Sequence, residues 1–177
     1  MRKLALIPGM LIWAALAVAL TAGTAGAAAP TGTLSVEQGK GAVTLDLRGT
    51  VVGRLGNGTV RITDQTPRDR HVPVVAGRRL TVTRVGPKTV LYKGKSLRFR
   101  MHGSSKIVVK GNGISLSAVG RGFVTLDGDR ELPEDNAGFY SLDGVDCSYD
   151  IALCVPLPDL PERYAIGPVP QPRGATR

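Results

Sequence analysis

Tryptophan is missing from this chain after Trp13, and the aromatics beyond residue 30 are Phe99, Phe123, Phe139 and four tyrosines. A core drawn from that stock has to be built of Val, Leu and Ile, and stacked tryptophan is not on offer as a sugar platform. Cysteine is nearly absent too: Cys147 and Cys154 are the whole supply. Their spacing is not the C-x-x-C of redox pairs, and zinc would need further ligands where no histidine is near. Only two histidines occur, His71 and His102, and no G-x-S-x-G elbow accompanies them. No second long apolar run follows the one at the N-terminus, and no helical period follows it either. The sharpest absence is of negative charge. Not one acid occurs from Arg70 through Leu126, a stretch that holds 12 Lys/Arg.

What is present begins with a leader. Arg2 and Lys3 precede an apolar run from Leu4 to Leu20, broken only by Pro8 and Gly9, and small residues fill 21–29. That order is the order of a secretory signal peptide, with Ala25-Gly26-Ala27 as the best cleavage triplet. The run falls short of the ~20 continuous apolar residues of a membrane span. Residues 1–27 are therefore expected to be removed, leaving a protein that is secreted or held in the cell envelope. Charge beyond the leader is uneven. Residues 31–130 carry 18 Lys/Arg against 6 Asp/Glu, and residues 131–177 carry 3 against 8.

Glycine sets the rhythm. Gly77, Gly86, Gly94, Gly103, Gly111, Gly120 and Gly128 fall at alternating steps of 9 and 8, as do Gly32, Gly41, Gly49 and Gly58. Three 17-residue units align without gaps: RRLTVTRVGPKTVLYKG (78–94), KSLRFRMHGSSKIVVKG (95–111) and NGISLSAVGRGFVTLDG (112–128). Leu80, Leu97 and Ile114 share one apolar column; Val82, Phe99 and Leu116 share the next. Val90, Ile107 and Val124 form a third and Tyr92, Val109 and Leu126 a fourth. A looser pair of the same length covers 33–49 and 50–66, and an insertion from Pro67 to Ala76 separates the groups.

Each unit reads as two short strands, because apolar and polar residues alternate. Leu97, Phe99 and Met101 face one way and Arg98, Arg100 and His102 the other. The expectation is an all-β domain over 28–130, an antiparallel meander of about ten short strands closing as a small sandwich or barrel. Asn57-Gly58 and Asn112-Gly113 are its expected hairpin turns. The alternative is a short parallel β-solenoid with 17-residue coils, in which like columns stack. Residues 131–154 form an acidic, turn-rich segment with the cysteine pair. Residues 155–177 form a proline-rich tail, in which Arg163 to Ile166 can add one edge strand.

The stretches GTVVGRLGNGTVRITD (49–64), GISLSAVGRGFVTLDG (113–128) and FYSLDG (139–144) resemble exported β-rich proteins of high-GC bacteria. The resemblance covers most of the chain after the leader. It implies an extracytoplasmic compartment and an all-β fold, and it implies no chemistry.

Each candidate for chemistry has a plain structural counterpart. Cys147 and Cys154 are expected as a disulfide, since an exported chain meets an oxidising medium. Asp127, Asp129, Glu131, Glu134 and Asp135 are the acids a glycosidase would have to draw on, but they read as a solvated acidic loop. Asp143, Asp146 and Asp150 lack the spacing of an EF-hand calcium loop. His71 and His102 read as solvated surface residues. No cofactor or metal is implied.

The basic stretch is the best lead: Arg78, Arg79, Arg84, Lys88, Lys93 and Lys95, then Arg98, Arg100, Lys106 and Lys110. Cations on one strand face attract polyanions through their summed field and counterion release. The expected partner is an anionic wall polymer, an acidic glycan or a membrane surface; nucleic acid fits poorly, because no known motif is present and no aromatics interleave with the cations. The counter-reading is a solubilising surface that guards strand edges, or a basic face covered by residues 131–150. Three functions stand in order: a non-enzymatic module that binds anionic envelope components, a structural or self-associating protein, and a hydrolase built on carboxylates or a histidine.

Overall fold

The computed structural model describes residues 31–168 apart from Arg70, Glu134, Asp135 and Asp143. The leader, the end of the proline-rich tail and those three acids thus lie outside the described residues. Six strands form: β1 (Gly32–Asp64), β2 (Val74–Gly86), β3 (Thr89–Gly128), β4 (Phe139–Ser141), β5 (Val155–Pro156) and β6 (Glu162–Ile166). A 3-10 turn spans Ile151–Leu153, capped by the Asp150 side chain, which accepts from the Ala152 N–H. Among the described residues no helix is long and apolar enough to cross a membrane.

All pairing is antiparallel. The all-β antiparallel class expected from alternation is what the chain adopts, but its unit is not a set of hairpins. Two strands, β1 of 33 residues and β3 of 40, make up most of the sheet. From Gly41 to Arg54 and from Asn57 to Thr63, β1 residues are paired on both sides, and both partners belong to β3. Val43 lies between Val109 and Leu126, and Val60 between Tyr92 and Val109. The two partners are 17 positions apart in each case. The path Val43–Val109–Val60 therefore leads from one residue of β1 to the residue 17 further on. β1 and β3 form one antiparallel ribbon wound on itself, and the repeat length is its pitch. The parallel coils of the solenoid alternative are replaced by coils between which an antiparallel strand is interleaved.

Glycine makes the winding possible by allowing backbones to touch at the bends. Gly58 is paired with both Gly94 and Gly111. A Cβ added at Gly58 would stand 2.1 Å from the Lys110 carbonyl oxygen, and one at Gly111 would stand 2.1 Å from that of Asn57. The pairing traces two seams, Gly128–Gly41–Gly111–Gly58–Gly94 and Gly32–Gly120–Gly49–Gly103. Asn57-Gly58 and Asn112-Gly113 are accordingly bends inside long strands and not hairpin turns: Asn57 is paired with Lys95 on one side and Asn112 on the other. The two-residue reversal is Pro87-Lys88, closed by Gly86 opposite Thr89.

The seams divide the ribbon into two walls. Wall A holds residues 42–48, 59–64, 89–93, 104–110 and 121–127, and wall B holds 33–39, 50–57, 95–102 and 112–119. β2 passes round a seam and edges both walls, through 81–86 and 74–76. At the far end β6 pairs with Gly122–Leu126 on wall A, which is the edge strand expected from Arg163 to Ile166. β4 pairs with Ser35–Glu37 on wall B. The Tyr140 hydroxyl of β4 donates to that of Tyr164 in β6 at 2.8 Å, tying the two lower edges together.

Inward residues from both walls share one core. Leu97, Phe99, Ile114 and Leu116 are 0, 2, 0 and 4 % exposed, and Val43, Leu45, Val60, Ile107, Val109 and Leu126 are fully buried with them. Complete burial of such side chains stabilises by roughly 1.5–3 kcal/mol each, which is why the alternation was conspicuous in the sequence. Gly53 interrupts the inward row of wall B to admit the Phe99 ring, which a Cβ there would meet at 2.5 Å. Cys147 and Cys154 are joined in a disulfide with Cα atoms 5.9 Å apart. The Cys147 N–H donates to the Ser35 hydroxyl at 3.0 Å and anchors the acidic segment to the edge of wall B.

Candidate anion-binding surfaces

The ten cations of the basic stretch divide over the two walls, a seam and an edge. Lys93, Lys106 and Lys110 stand on the outer face of wall A. Cross-strand pairing gives one row of Asp127, Ala42, Lys110, Thr59 and Lys93, and the row two residues along holds Thr44, Val108, Arg61 and Leu91. A third row holds Asp46, Lys106 and Thr63. Arg61 thus sits diagonally between Lys106, Lys110 and Lys93, at the ~7–8 Å separations of such neighbours. Thr44, Thr59, Thr63 and Thr89 lie between the charges, and with Arg61, Lys106 and Lys110 they line a groove of about 680 Å³. None of the four cations has an ion-pair partner among the described residues.

Arg98 and Arg100 lie on the outer face of wall B, together as the alternation required. Arg98 is directly opposite Arg54, and Arg100 is opposite Val52. Like charges facing each other across strands destabilise a sheet. Here Glu37 relieves part of the repulsion: its Oε1 accepts from Arg54 Nη2 at 3.3 Å and from the Ser115 hydroxyl at 2.7 Å. Neither Arg98 nor Arg100 has an ion-pair partner among the described residues. The face is concave, enclosing about 550 Å³. Asp146 and Ser148 of the acidic segment form part of its rim. The described residues of 131–150 therefore border this basic face without ion-pairing Arg98 or Arg100. The Asp146 carboxyl is held below its ordinary range, chiefly by the hydroxyl and N–H of Ser148.

The remaining five cations, Lys95 among them, join neither group. Arg78 is registered with Lys95 near Gly94, and Arg79 follows in the left-handed region at φ 51. Arg84 is opposite Val90 on the β2 edge, and Lys88 is in the Pro87-Lys88 reversal, where its carbonyl accepts from the Asp64 N–H at 2.9 Å.

The two histidines meet, a proximity the sequence did not indicate. Their ring centroids are 6.1 Å apart. Asp69 lies 3.3 Å from His71 Nδ1 and also accepts from the Thr66 hydroxyl, the main reason its carboxyl is held low. His102 Nδ1 is 2.8 Å from the Thr50 hydroxyl. Asp69 serves His71 while Thr50 serves His102, so acid, imidazole and hydroxyl are not aligned as a relay. The loop that folds Asp69 and His71 back over Gly103 has no signature in the sequence.

The candidate acids among the described residues do not assemble into a hydrolytic pair. Asp127 stands at the end of a wall A row, whereas Asp129 lines a separate hollow with no second carboxylate among its described residues. Glu131 donates its N–H to Asp129 in a local turn. Asp150 caps the 3-10 turn, and no group of three or more His, Cys, Asp or Glu among the described residues is arranged to hold a metal ion. The sequence reading missed Arg54 and Arg61, which precede the acid-free stretch. Their place was signalled by alternation in β1, where Arg61 lies between buried Val60 and Ile62. No protein-family model, no curated protein and no solved structure matches this chain.

Proposed function

We propose that this protein is an exported, non-enzymatic β-module that binds an anionic polymer of the cell envelope through the outer face of wall A. One observation carries the reading. Arg61, Lys93, Lys106 and Lys110 stand in neighbouring rows of the sheet, outnumber Asp46 and Asp127 in those rows, form no ion pair among the described residues, and are interleaved with threonines. A fixed cation lattice suits a repeating polyanion, whose charges engage several side chains at once and release counterions. The disulfide fits an oxidising medium and supports the extracytoplasmic assignment. In this reading the two walls are the facing layers of a flattened sandwich, with wall A presented to the polymer. Purified protein applied to heparin and to polyglutamate is expected to bind at low salt and elute as salt rises. Retention on neither, at any salt, would contradict the proposal.

A second reading rests on the upper edge of the ribbon. β2 pairs only with β3, and its Val74, Val82 and Val85 are 65, 56 and 50 % exposed. An unpaired edge of this kind is a template for a second chain, while Arg78, Arg79 and Arg84 oppose a like-charged copy. Sedimentation over a wide concentration range separates the readings, because a strict monomer excludes self-assembly.

A further inference from the structure

Wall B carries a cationic site of a different kind. Its hollow is lined by arginines, where the wall A groove presents mostly lysines. We infer that this depression binds a single acidic sugar unit, with its carboxylate or phosphate held by Arg98 and Arg100. The inference is independent of the polymer reading, since it concerns the opposite face.

The chemistry of the lining points to that ligand class. Two guanidinium groups on one strand, separated by Phe99, project to the same side and lack an acid among the described residues. The planar fork of arginine matches a carboxylate or phosphate with paired hydrogen bonds. The third arginine is already committed: Arg54 is held by Glu37, so it raises the local potential without competing for the ligand. The other side of the depression supplies hydroxyls, from Ser35, Ser115, Ser117 and Ser148. These suit the hydroxyls of a sugar ring and offer little to an apolar acid. Val52, Val74 and Ala76 provide the apolar surface on which a ring can lie. The hollow's volume of about 550 Å³ lies in the range of small-ligand sites. A zwitterion fits less well, because Glu37 and Asp146 already accept hydrogen bonds from Arg54, Ser115 and Ser148.

Calorimetric titration of the purified protein with glucuronate, glucose 6-phosphate and glucose tests the inference. Saturable binding at one site per chain is expected for at least one acidic sugar and not for glucose. Glucuronate alone would assign a carboxylated ligand and glucose 6-phosphate alone a phosphorylated one. Arg98→Ala with Arg100→Ala is expected to weaken binding by about ten-fold or more, the effect of losing charge-assisted hydrogen bonds. Arg98→Lys with Arg100→Lys keeps the charge, loses the fork and is expected to fall between; it also serves if the double alanine variant does not fold. Lys88→Ala, at the distant reversal, is the control and leaves binding unchanged. Absence of saturable binding by both acidic sugars, equal binding of glucose, or full affinity in the double alanine variant would overturn the inference. If heparin is retained while the small sugars are not, this inference fails and the polymer reading stands; loss of both binding activities removes both.

Discussion

Walls A and B are alternate halves of one repeat, alike inside and different outside. Their inward faces are the same apolar columns: Leu45, Ile107 and Leu126 on A are matched by Leu55, Leu97 and Ile114 on B, all at 1 % exposure or less. Their outward faces share nothing but positive charge. Wall A spreads Arg61 and three lysines among threonines, and wall B gathers three arginines and several serines in a hollow. The pitch constrains only what points inward and the glycines at the bends. Solvent-facing positions are free to acquire separate chemistry on each wall.

That comparison can be broken most severely at a seam. Gly58→Val forces a Cβ against the Lys110 carbonyl at a backbone φ of +148, and it is expected to cost on the order of 3 kcal/mol or more, through strain and overpacking together. Urea unfolding should show both walls lost in one transition. Leu45→Ala on wall A and Leu97→Ala on wall B are each expected to cost about 2–5 kcal/mol. Similar values are required if one core serves both walls; a large difference would mean that they are stabilised separately.

The walls separate in the next two tests. Cys147→Ser with Cys154→Ser opens a short loop, and the expected loss is about 2–3 kcal/mol. Sugar binding should weaken with it, because Asp146 and Ser148 rim wall B, while heparin retention at wall A persists. Lys106→Ala with Lys110→Ala should change stability by no more than about 0.5 kcal/mol, as exposed substitutions do. It should move heparin elution to clearly lower salt. The smallest effect concerns Asp146. Its carboxyl is depressed below the ordinary 3.8 by Ser148, so its contribution is complete above that pH and fades as pH falls through the lower folded value. Unfolding midpoints of the protein and of Asp146→Asn should differ slightly at neutral pH and converge in strong acid.

How far the sequence could be read follows from the range of each signal. Alternation is local, so extended structure, most of the inward columns and the shared side of Arg98 and Arg100 were legible; Val82, in the column of Phe99 and Leu116, is instead 56 % exposed on the β2 edge. The 17-residue repeat was legible as well, but not its meaning. An Asn-Gly pair is a strong local hairpin signal, and nothing local reveals that Gly58 instead stacks on Gly94 and Gly111. Once the bends replace the hairpins, successive halves of a unit fall on opposite walls, which is why Lys106 and Arg100 part company. Arg54 and Arg61 escaped notice because the acid-free stretch begins at Arg70, whereas their partners are reached across strands. His71 and His102 are brought together by a returning loop, an event with no periodicity to announce it.

The winding of the ribbon is tested most directly by proton contacts in solution. With Val43, Val109 and Leu126 resolved by selective labelling, nuclear Overhauser effects should connect the Val43 backbone to both Val109 and Leu126. None should join the Val109 and Leu126 backbones, between which β1 runs. A direct backbone contact between Val109 and Leu126, or contact of Val43 with one of them only, would contradict the antiparallel coil.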